Sequence, residues 1–158
     1  MMTTATTSAW QPAASVSAIE LNAKASPDFA AKLAETVALL RQAAAHGPVT
    51  LACSLGAEDM VLADLINANE LPISIFVLET GALHAETLAL LEQLKTSQAT
   101  RPYAPLTVYQ PVQEAVIEFV AREGNEAMYK SIALRKACCG IRKMEPLSRA
   151  LAGQKGWL

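Results

Sequence analysis

One short segment most constrains the fold. Residues 73–78, ISIFVL, carry no charge and consist mainly of β-branched and aromatic side chains. An uninterrupted apolar run of this length is typical of a central parallel strand that is covered on both faces. Shorter runs of strand length occur at residues 49–53 and 106–109, and the tail 155–158 resembles the approach to a further strand. The sequence therefore predicts a sheet with 73–78 at its centre.

Helical patterns fill the intervals between these runs. The first begins near Ser26-Pro27-Asp28, and Phe29, Leu33, Val37 and Leu40 follow at helical spacing. Such an alternation of helices and strands implies right-handed βαβ crossovers. We therefore predict an α/β protein with an open parallel sheet and helices on both faces. The other predicted helices span about 58–68, 84–96, 111–123 and 126–151, the last one broken in two.

The composition bounds the protein class. A length of 158 residues suits one domain, and 52 % hydrophobic residues argue against a disordered chain. The net charge of −2, from 13 Lys and Arg against 15 Asp and Glu, argues against nucleic acid as the partner. The apolar runs are too short to span a membrane, and the start does not resemble a secretory signal, so we expect a cytoplasmic protein. Residues 1–25, rich in Ala, Ser and Thr, are expected to form a mobile arm before a domain at 26–158.

Two loops follow predicted strands, where ligands bind in open α/β sheets. In the first, Ser54-Leu55-Gly56-Ala57-Glu58-Asp59, Gly56 allows close approach to the backbone, and the next helix offers unpaired N–H groups. This loop suits a phosphate or sulfate, or it is an ordinary turn with acidic residues at the helix start. The second, Leu78-Glu79-Thr80-Gly81, suits a ribose or base edge, or it simply ends the strand. His84, just beyond, is either a base or ligand or a structural residue.

The chain has three cysteines, Cys53, Cys138 and Cys139. An odd count in a chain expected in the cytoplasm argues against a disulfide framework. The adjacent pair lies among basic residues, which in general stabilise thiolates for metal binding or nucleophilic attack. Cys53 is expected to pack as a small apolar residue. The residues alone leave three interpretations of the pair open: half a metal site, a redox pair or coincidence. The basic residues around it are Arg135, Lys136, Arg142 and Lys143.

Taken together, these motifs resemble the N-terminal part of assimilatory adenylyl-sulfate reductases, the cluster-bearing branch of the phosphoadenylyl-sulfate reductase family. The resemblance covers about residues 30–158, so the predicted domain 26–158 corresponds to the N-terminal part of the reductase domain. The most specific segment is the adjacent cysteine pair followed by I-R-K-x-E-P-L. The matching segments are SLGAED at 54–59, IFVLETG at 75–81, ET within HAET at 84–87, and KACCGIRKMEPLSRAL at 136–151.

The resemblance implies an adenine nucleotide alpha hydrolase-like fold, related to the PP-loop ATP pyrophosphatases and incomplete at its C-terminal side. Ser54, Gly56 and Asp59 match a degenerate PP-loop, and Ala57 replaces its second glycine, which fits nucleotide binding without ATP cleavage. Glu79 stands where the family usually has Asp, and His84 replaces a Phe, so it is not carried over as catalytic. The substrate-binding residues implied are Ser54, Leu55, Gly56, Glu58, Asp59, Leu78, Glu79, Thr80, Gly81 and Lys143.

By the same resemblance, Cys138 and Cys139 supply two of the four thiolates of a 4Fe–4S cluster, and Lys143 lies between cluster and substrate. The implied reaction reduces adenosine 5′-phosphosulfate, or its 3′-phosphorylated form, to sulfite during sulfate assimilation and cysteine biosynthesis. A cysteine near the family's C-terminus attacks the sulfur, AMP leaves, and thioredoxin or glutaredoxin releases sulfite. None of the present residues matches that catalytic cysteine, so we expect this chain to be inactive alone. The incomplete sheet is expected to expose apolar edges, so we also expect self-association.

Two other functions are compatible with parts of the pattern. An ATP pyrophosphatase relative, such as the small subunit of sulfate adenylyltransferase, would carry a complete Ser-Gly-Gly-x-Asp-Ser loop and no cysteine pair. This chain has the opposite on both counts. A non-catalytic module that binds an adenine nucleotide or a metal is the second alternative.

Overall fold

Four parallel strands form the sheet, in the order β3-β2-β1-β4. In the register of the two central strands, Leu51 lies opposite Ile75. The predicted central position of the apolar run is confirmed, and so is the short strand in the tail. The computed structural model describes Glu20, Lys24 and residues 26–158; the expected arm otherwise lies outside the described residues. The strands are β1 Val49–Ala52, β2 Ser74–Leu78, β3 Leu106–Tyr109 and β4 Gly156–Trp157.

Helices connect the strands as the alternation predicts. The segment expected as one broken helix is more finely divided, because Ser131 adopts an extended backbone and accepts a hydrogen bond from the Leu134 N–H group at 3.1 Å. Beyond Ser131 the helical backbone is continuous, although its middle part is a π-helix. The helices are α1 Phe29–Ala45, α2 Ala57–Ala68, α3 Ala85–Gln98, α4 Gln113–Glu123, α5 Ala127–Lys130, α6 Ile132–Cys139, the π-helical segment Gly140–Met144, and α7 Glu145–Leu151.

Side chains at successive positions along the strands point to opposite faces of the sheet, and each face packs against its own layer of helices. Leu51, Ile75 and Val77 point to the layer that contains Ile66 of α2 and Leu91 of α3. On the opposite face, α7 contacts β2 and β3, and its Pro146 is fully buried. Helices therefore cover both faces of the sheet, as predicted.

The first helix departs from its sequence pattern. It begins at Phe29, with Asp28 at the N-cap position, rather than with Ser26 as the cap. The Ser26 hydroxyl donates to the Asp28 carboxylate, and the Ser26 backbone carbonyl accepts from the Phe29 N–H group at 3.1 Å. Of the predicted apolar stripe, only Leu40 is buried, whereas Phe29 is 64 % exposed. Among the described residues, the stripe thus meets the core only near the C-terminal end of the helix.

No helix in the described part of the chain combines the length and apolar character needed to cross a membrane.

Candidate functional site

The two predicted loops lie next to each other at the carboxyl edge of the sheet. β1 and β2 are parallel neighbours, and the Cys53 N–H group extends their ladder by donating to the carbonyl oxygen of Phe76 at 2.9 Å. The first loop begins at the next residue, Ser54, and the second begins at Leu78, the last residue of β2. Residues 54–59 and 78–81 therefore emerge side by side, as the shared strand direction predicts.

The first loop turns through Leu55 in a left-handed backbone conformation, with φ of 67°. For a residue with a side chain, this conformation costs about 1–2 kcal/mol. The Leu55 side chain is buried in the main core, which offsets that cost and holds the turn in place. Gly56 follows in an extended conformation and caps α2, so that the first N–H groups of the helix face the loop.

Two carboxylates from the start of α2, those of Glu58 and Asp59, fold back onto this loop. The backbone N–H and the hydroxyl of Ser54 both donate to Oδ2 of Asp59, each at 2.6 Å. A Cβ atom at position 56 would lie 3.0 Å from Oε1 of Glu58, so the Glu58 carboxylate folds over Gly56. Asp59 therefore shapes the loop from within, and an anion at Gly56 requires Glu58 to move aside.

The second loop is a closed turn held by its own acid. Oε1 of Glu79 accepts the Gly81 N–H at 2.7 Å, and Oε2 accepts Nε2 of Gln110 at 3.0 Å. Gly81 has φ of 71°, a region that favours glycine. The carbonyl of Thr80 accepts Nη1 of Arg142 at 2.7 Å, from the segment that follows the cysteine pair. The carboxylate at position 79 thus stabilises the turn itself.

The two adjacent cysteines end α6 and differ in exposure. Cys138 is buried in a second apolar cluster with Phe119 and Ala127, and Cys139 is half-buried. The π-helical segment begins immediately after them, and the Glu145 N–H donates to the Gly140 carbonyl with the five-residue spacing of a π-helix. Short π-helical segments often occur at functional sites.

Three sequence-distant predicted residues line one cavity of about 170 Å³: Ser54 after β1, Leu78 at the end of β2, and Lys143 in the π-helical segment. Glu79 and Gly81 instead line a larger cavity of about 340 Å³ on the side of α3. The structure thus places the cysteine segment beside both loops. The remaining lining of the first cavity is formed by Ala52, Cys53, Phe76 and Leu147.

The third cysteine, Cys53, lies in surroundings that make its thiol unreactive. Cys53 is 3 % exposed, and burial raises the pKa of its thiol above the ordinary value of 9.0. The Asp59 carboxylate raises this pKa further, while a backbone hydrogen bond from Leu55 opposes the rise. A thiol in this setting stays protonated near neutral pH and is a poor nucleophile.

Sequence reasoning missed Gln110, Arg142 and Arg149 as parts of this arrangement. Arg149 forms an ion pair with Glu145, donates Nη2 to the Gln110 carbonyl at 2.5 Å, and lies 5.7 Å from the Tyr109 ring centre. Gln110 follows the end of β3, so the rule that selected the other two loops could also have found it. His84 occupies the N-cap position of α3, and its side chain makes no capping hydrogen bond.

The described residues include two adjacent cysteines, Cys138 and Cys139, rather than the complete set of ligands that an iron–sulfur cluster needs. Among residues 26–158, together with Glu20 and Lys24, no group of three or more His, Cys, Asp or Glu side chains is placed to hold a metal ion. Iron–sulfur clusters of the four-iron type require four thiolates. Cys138 and Cys139, both free cysteines, are of the ligand type that such a cluster requires.

Comparison with protein families gives one match, to the phosphoadenosine phosphosulfate reductase domain over residues 48–158. Among solved structures, the crystal structure of phosphoadenylyl-sulfate (PAPS) reductase from Candida auris, in a phosphate complex, is similar with a TM-score of 0.57. The sequence identity is 20 %, and the match covers 82 % of this chain and 64 % of that one. This likeness shows that the fold is shared.

Similar curated proteins are named adenosine 5′-phosphosulfate reductase. The protein from Neisseria meningitidis serogroup A is 44 % identical over 131 residues, covering 80 % of this chain and 52 % of the relative. That from Allochromatium vinosum is 46 % identical, covering 70 % and 41 %, and that from Burkholderia cepacia is 44 % identical, covering 84 % and 52 %. The chain therefore spans about half the length of the curated relatives it matches.

Proposed function

Since this chain belongs to the phosphoadenosine phosphosulfate reductase family, we propose that the complete protein reduces adenosine 5′-phosphosulfate, or its 3′-phosphorylated form, to sulfite. The chain contributes the nucleotide-binding edge of the sheet and two cysteines. The reaction serves sulfate assimilation and cysteine biosynthesis, and we place it in the cytoplasm.

The convergence of Ser54, Leu78 and Lys143 on one cavity supports this proposal most strongly. The cavity, about 170 Å³, is smaller than the roughly 300 Å³ at which complete small-molecule sites begin, so it suits only part of an adenylate. Its lining offers one hydroxyl, one ammonium and apolar surface from Leu78. The Lys143 ammonium suits the phosphosulfate, and the apolar surface suits the adenosine. The Ser54 hydroxyl donates its proton to Asp59, so it has to rotate before it can donate to the anion.

The remaining loop residues support the site in different ways. Asp59 orients Ser54 through two hydrogen bonds, and Leu55 fixes the backbone turn. Glu58 covers Gly56 and has to move when the anion binds. Glu79, Thr80 and Gly81 form the neighbouring turn, which we assign to the ribose or base edge.

We assign Cys138 and Cys139 as two thiolate ligands of a 4Fe–4S cluster, with the other two ligands outside the described residues. Cys138 and Cys139 would hold the cluster, which would supply a charged group able to influence the binding of the anionic substrate. In this proposal Cys138 is one of the ligands, and its position is fixed by the apolar side chains around it. Lys143 lines the cavity and gives it a positive charge.

The nucleophile of the proposed reaction is a cysteine outside this chain. Its thiolate forms a bond to the sulfate sulfur, the bond from that sulfur to the phosphate oxygen breaks, and AMP leaves with the electron pair. A thiol of thioredoxin or glutaredoxin then attacks the cysteine sulfur and releases sulfite as a disulfide forms. Because Cys53 is buried and protonated, we expect the 158-residue chain alone to release no sulfite. We also expect it to self-associate, because the edge strand β4 exposes the side chain of Trp157.

Calorimetric titration with adenosine 5′-phosphosulfate tests the site. We expect Lys143→Gln to weaken binding by about tenfold, because a charge-assisted contact is lost. Lys155→Gln is the matched control, since the Lys155 N–H bonds to Pro48 at the opposite, amino end of β1. Equal affinities of the two variants, or no binding to the parent chain at millimolar ligand, would contradict the proposal.

A further inference from the structure

The cysteine segment is tied directly to the turn at residues 79–81, the ETG turn. Arg142, three residues after Cys139 in a continuous helical backbone, donates Nη1 to the Thr80 carbonyl across 62 positions of sequence, at 2.7 Å. Arg142 is half-buried. A hydrogen bond from a guanidinium is among the stronger kinds in proteins, and burial protects it from competing water.

The fit around this contact is close. A Cβ atom at position 81 would lie 3.0 Å from Nη1 of Arg142, so the guanidinium packs directly against the bare backbone of Gly81. Together with its φ of 71°, this contact restricts position 81 to glycine. The guanidinium of Arg142 therefore packs closely against the turn and also donates a hydrogen bond to it.

A second connection restrains the same turn. Glu79 accepts from the Gln110 side chain, and the Gln110 carbonyl accepts from Arg149 of α7. The π-helical segment and α7 therefore both hold the ETG turn. Cys138, four residues before Arg142 in this continuous backbone, is buried in its own apolar cluster. The Arg142 contact therefore gives a displacement of the turn a direct path to the cysteine segment.

Resting on the proposed function, we propose that Arg142 is a positioning residue that couples nucleotide binding at the ETG turn to the cysteine pair. It contacts Thr80 and needs no contact with the nucleotide. A ligand that orders the turn also orders the segment 139–142 through this contact. By linkage, the state of the thiols affects nucleotide affinity by the same factor.

Relaxation measurements on the chain without ligand test the positioning role. The order parameter of the Gly81 N–H is expected near 0.85 in the parent, below about 0.6 in Arg142→Gln, and partly restored in Arg142→Lys, which keeps a cationic donor. Lys136→Gln removes an equal charge three residues before Cys139 and should leave Gly81 rigid. A rigid Gly81 in Arg142→Gln overturns the proposal whether or not a nucleotide binds.

Alkylation of Cys139 by N-ethylmaleimide, followed by tandem mass spectrometry, tests the coupling. Saturating AMP should slow the reaction at least twofold in the parent and in Lys136→Gln, and leave it unchanged in Arg142→Gln. Equal protection in the parent and in Arg142→Gln overturns the coupling. If AMP fails to bind the parent, the proposed function and the coupling both fail, whereas a mobile Gly81 in Arg142→Gln still establishes Arg142 as a positioning residue.

Discussion

Asp59 accepts two hydrogen bonds from Ser54, one from the backbone N–H and one from the hydroxyl, and both measure 2.6 Å. One carboxylate oxygen thus closes the loop that follows β1. A residue that resembles a ligand-binding acid in the sequence acts in the structure as a brace for the loop. The distinction matters because a brace and a ligand contact respond differently to substitution.

Replacement of Asp59 by Asn should therefore lower stability as well as affinity. Hydrogen bonds to a charged group contribute about 1.5–3 kcal/mol, and the solvent exposure of Ser54 favours the lower end of that range. We expect Asp59→Asn to reduce the free energy of unfolding by about 1.5 kcal/mol in urea denaturation. Asp64→Asn, which changes an exposed acid on the same helix, is the control and should have little effect. Equal stability of the two variants would show that the brace is unimportant.

A pair of glycine substitutions distinguishes a constrained turn from an ordinary helical position. Gly81→Ala places a side chain at φ of 71° and 3.0 Å from Arg142, so we expect a loss of about 1–2 kcal/mol. Gly140 has helical angles and nothing within 4 Å of an added Cβ atom. Gly140→Ala should therefore stabilise the chain by about 0.5–1 kcal/mol. Thermal or urea unfolding measures both, and changes of the same sign would contradict the structure.

The buried thiol of Cys53 predicts a pH dependence of stability. Its pKa is raised in the folded state, mainly by burial, so its contribution is complete below the unfolded pKa and is lost as the pH rises through the folded pKa. The difference in unfolding free energy between the parent and Cys53→Ala should be constant between about pH 6 and 8 and should shrink above about pH 9. The variant corrects for all other titrating groups. A difference that grows with pH would contradict the burial of this thiol.

Iron–sulfur reconstitution should show that this chain supplies only part of the ligands of a 4Fe–4S cluster. After anaerobic reconstitution with iron and sulfide, we expect the parent chain to lose its iron on desalting, because two thiolates hold a four-iron cluster poorly. A double variant, Cys138→Ser with Cys139→Ser, gives the background iron content. A stable, stoichiometric 4Fe–4S centre on a monomer of this chain would show that further ligands lie among its residues.

Much of the sheet could be predicted because its determinants are local. The apolar run at 73–78 and the alternation of helices and strands predict a parallel sheet with this run at its centre, and the tail contains the further strand that its sequence indicates. The order of the strands is not among these predictions. The helix pattern at Phe29 and Leu33 failed for a physical reason. Periodicity shows which face of a helix is apolar but not what covers that face.

The parts of the site that were missed depend on long-range geometry. The contact between Arg142 and Thr80 joins residues 62 positions apart, and no periodic pattern reports such a pair. The π-helical segment was not expected, because the change from four-residue to five-residue hydrogen bonding has no recognisable local sequence pattern. Glu79, interpreted as a ligand contact or a strand terminator, turned out to bond within its own turn and to Gln110.

Mapping AMP on the isotopically labelled chain by NMR tests the central claim most directly: the loops at 54–59 and 78–81 and the π-helical segment form one adenylate site. The account predicts chemical-shift changes at Ser54, Gly56, Leu78 and Lys143, and none at Lys155, at the amino end of β1. No change at millimolar AMP would contradict the account. So would changes confined to Leu88 and Lys95, which lie on α3 and outside both loops.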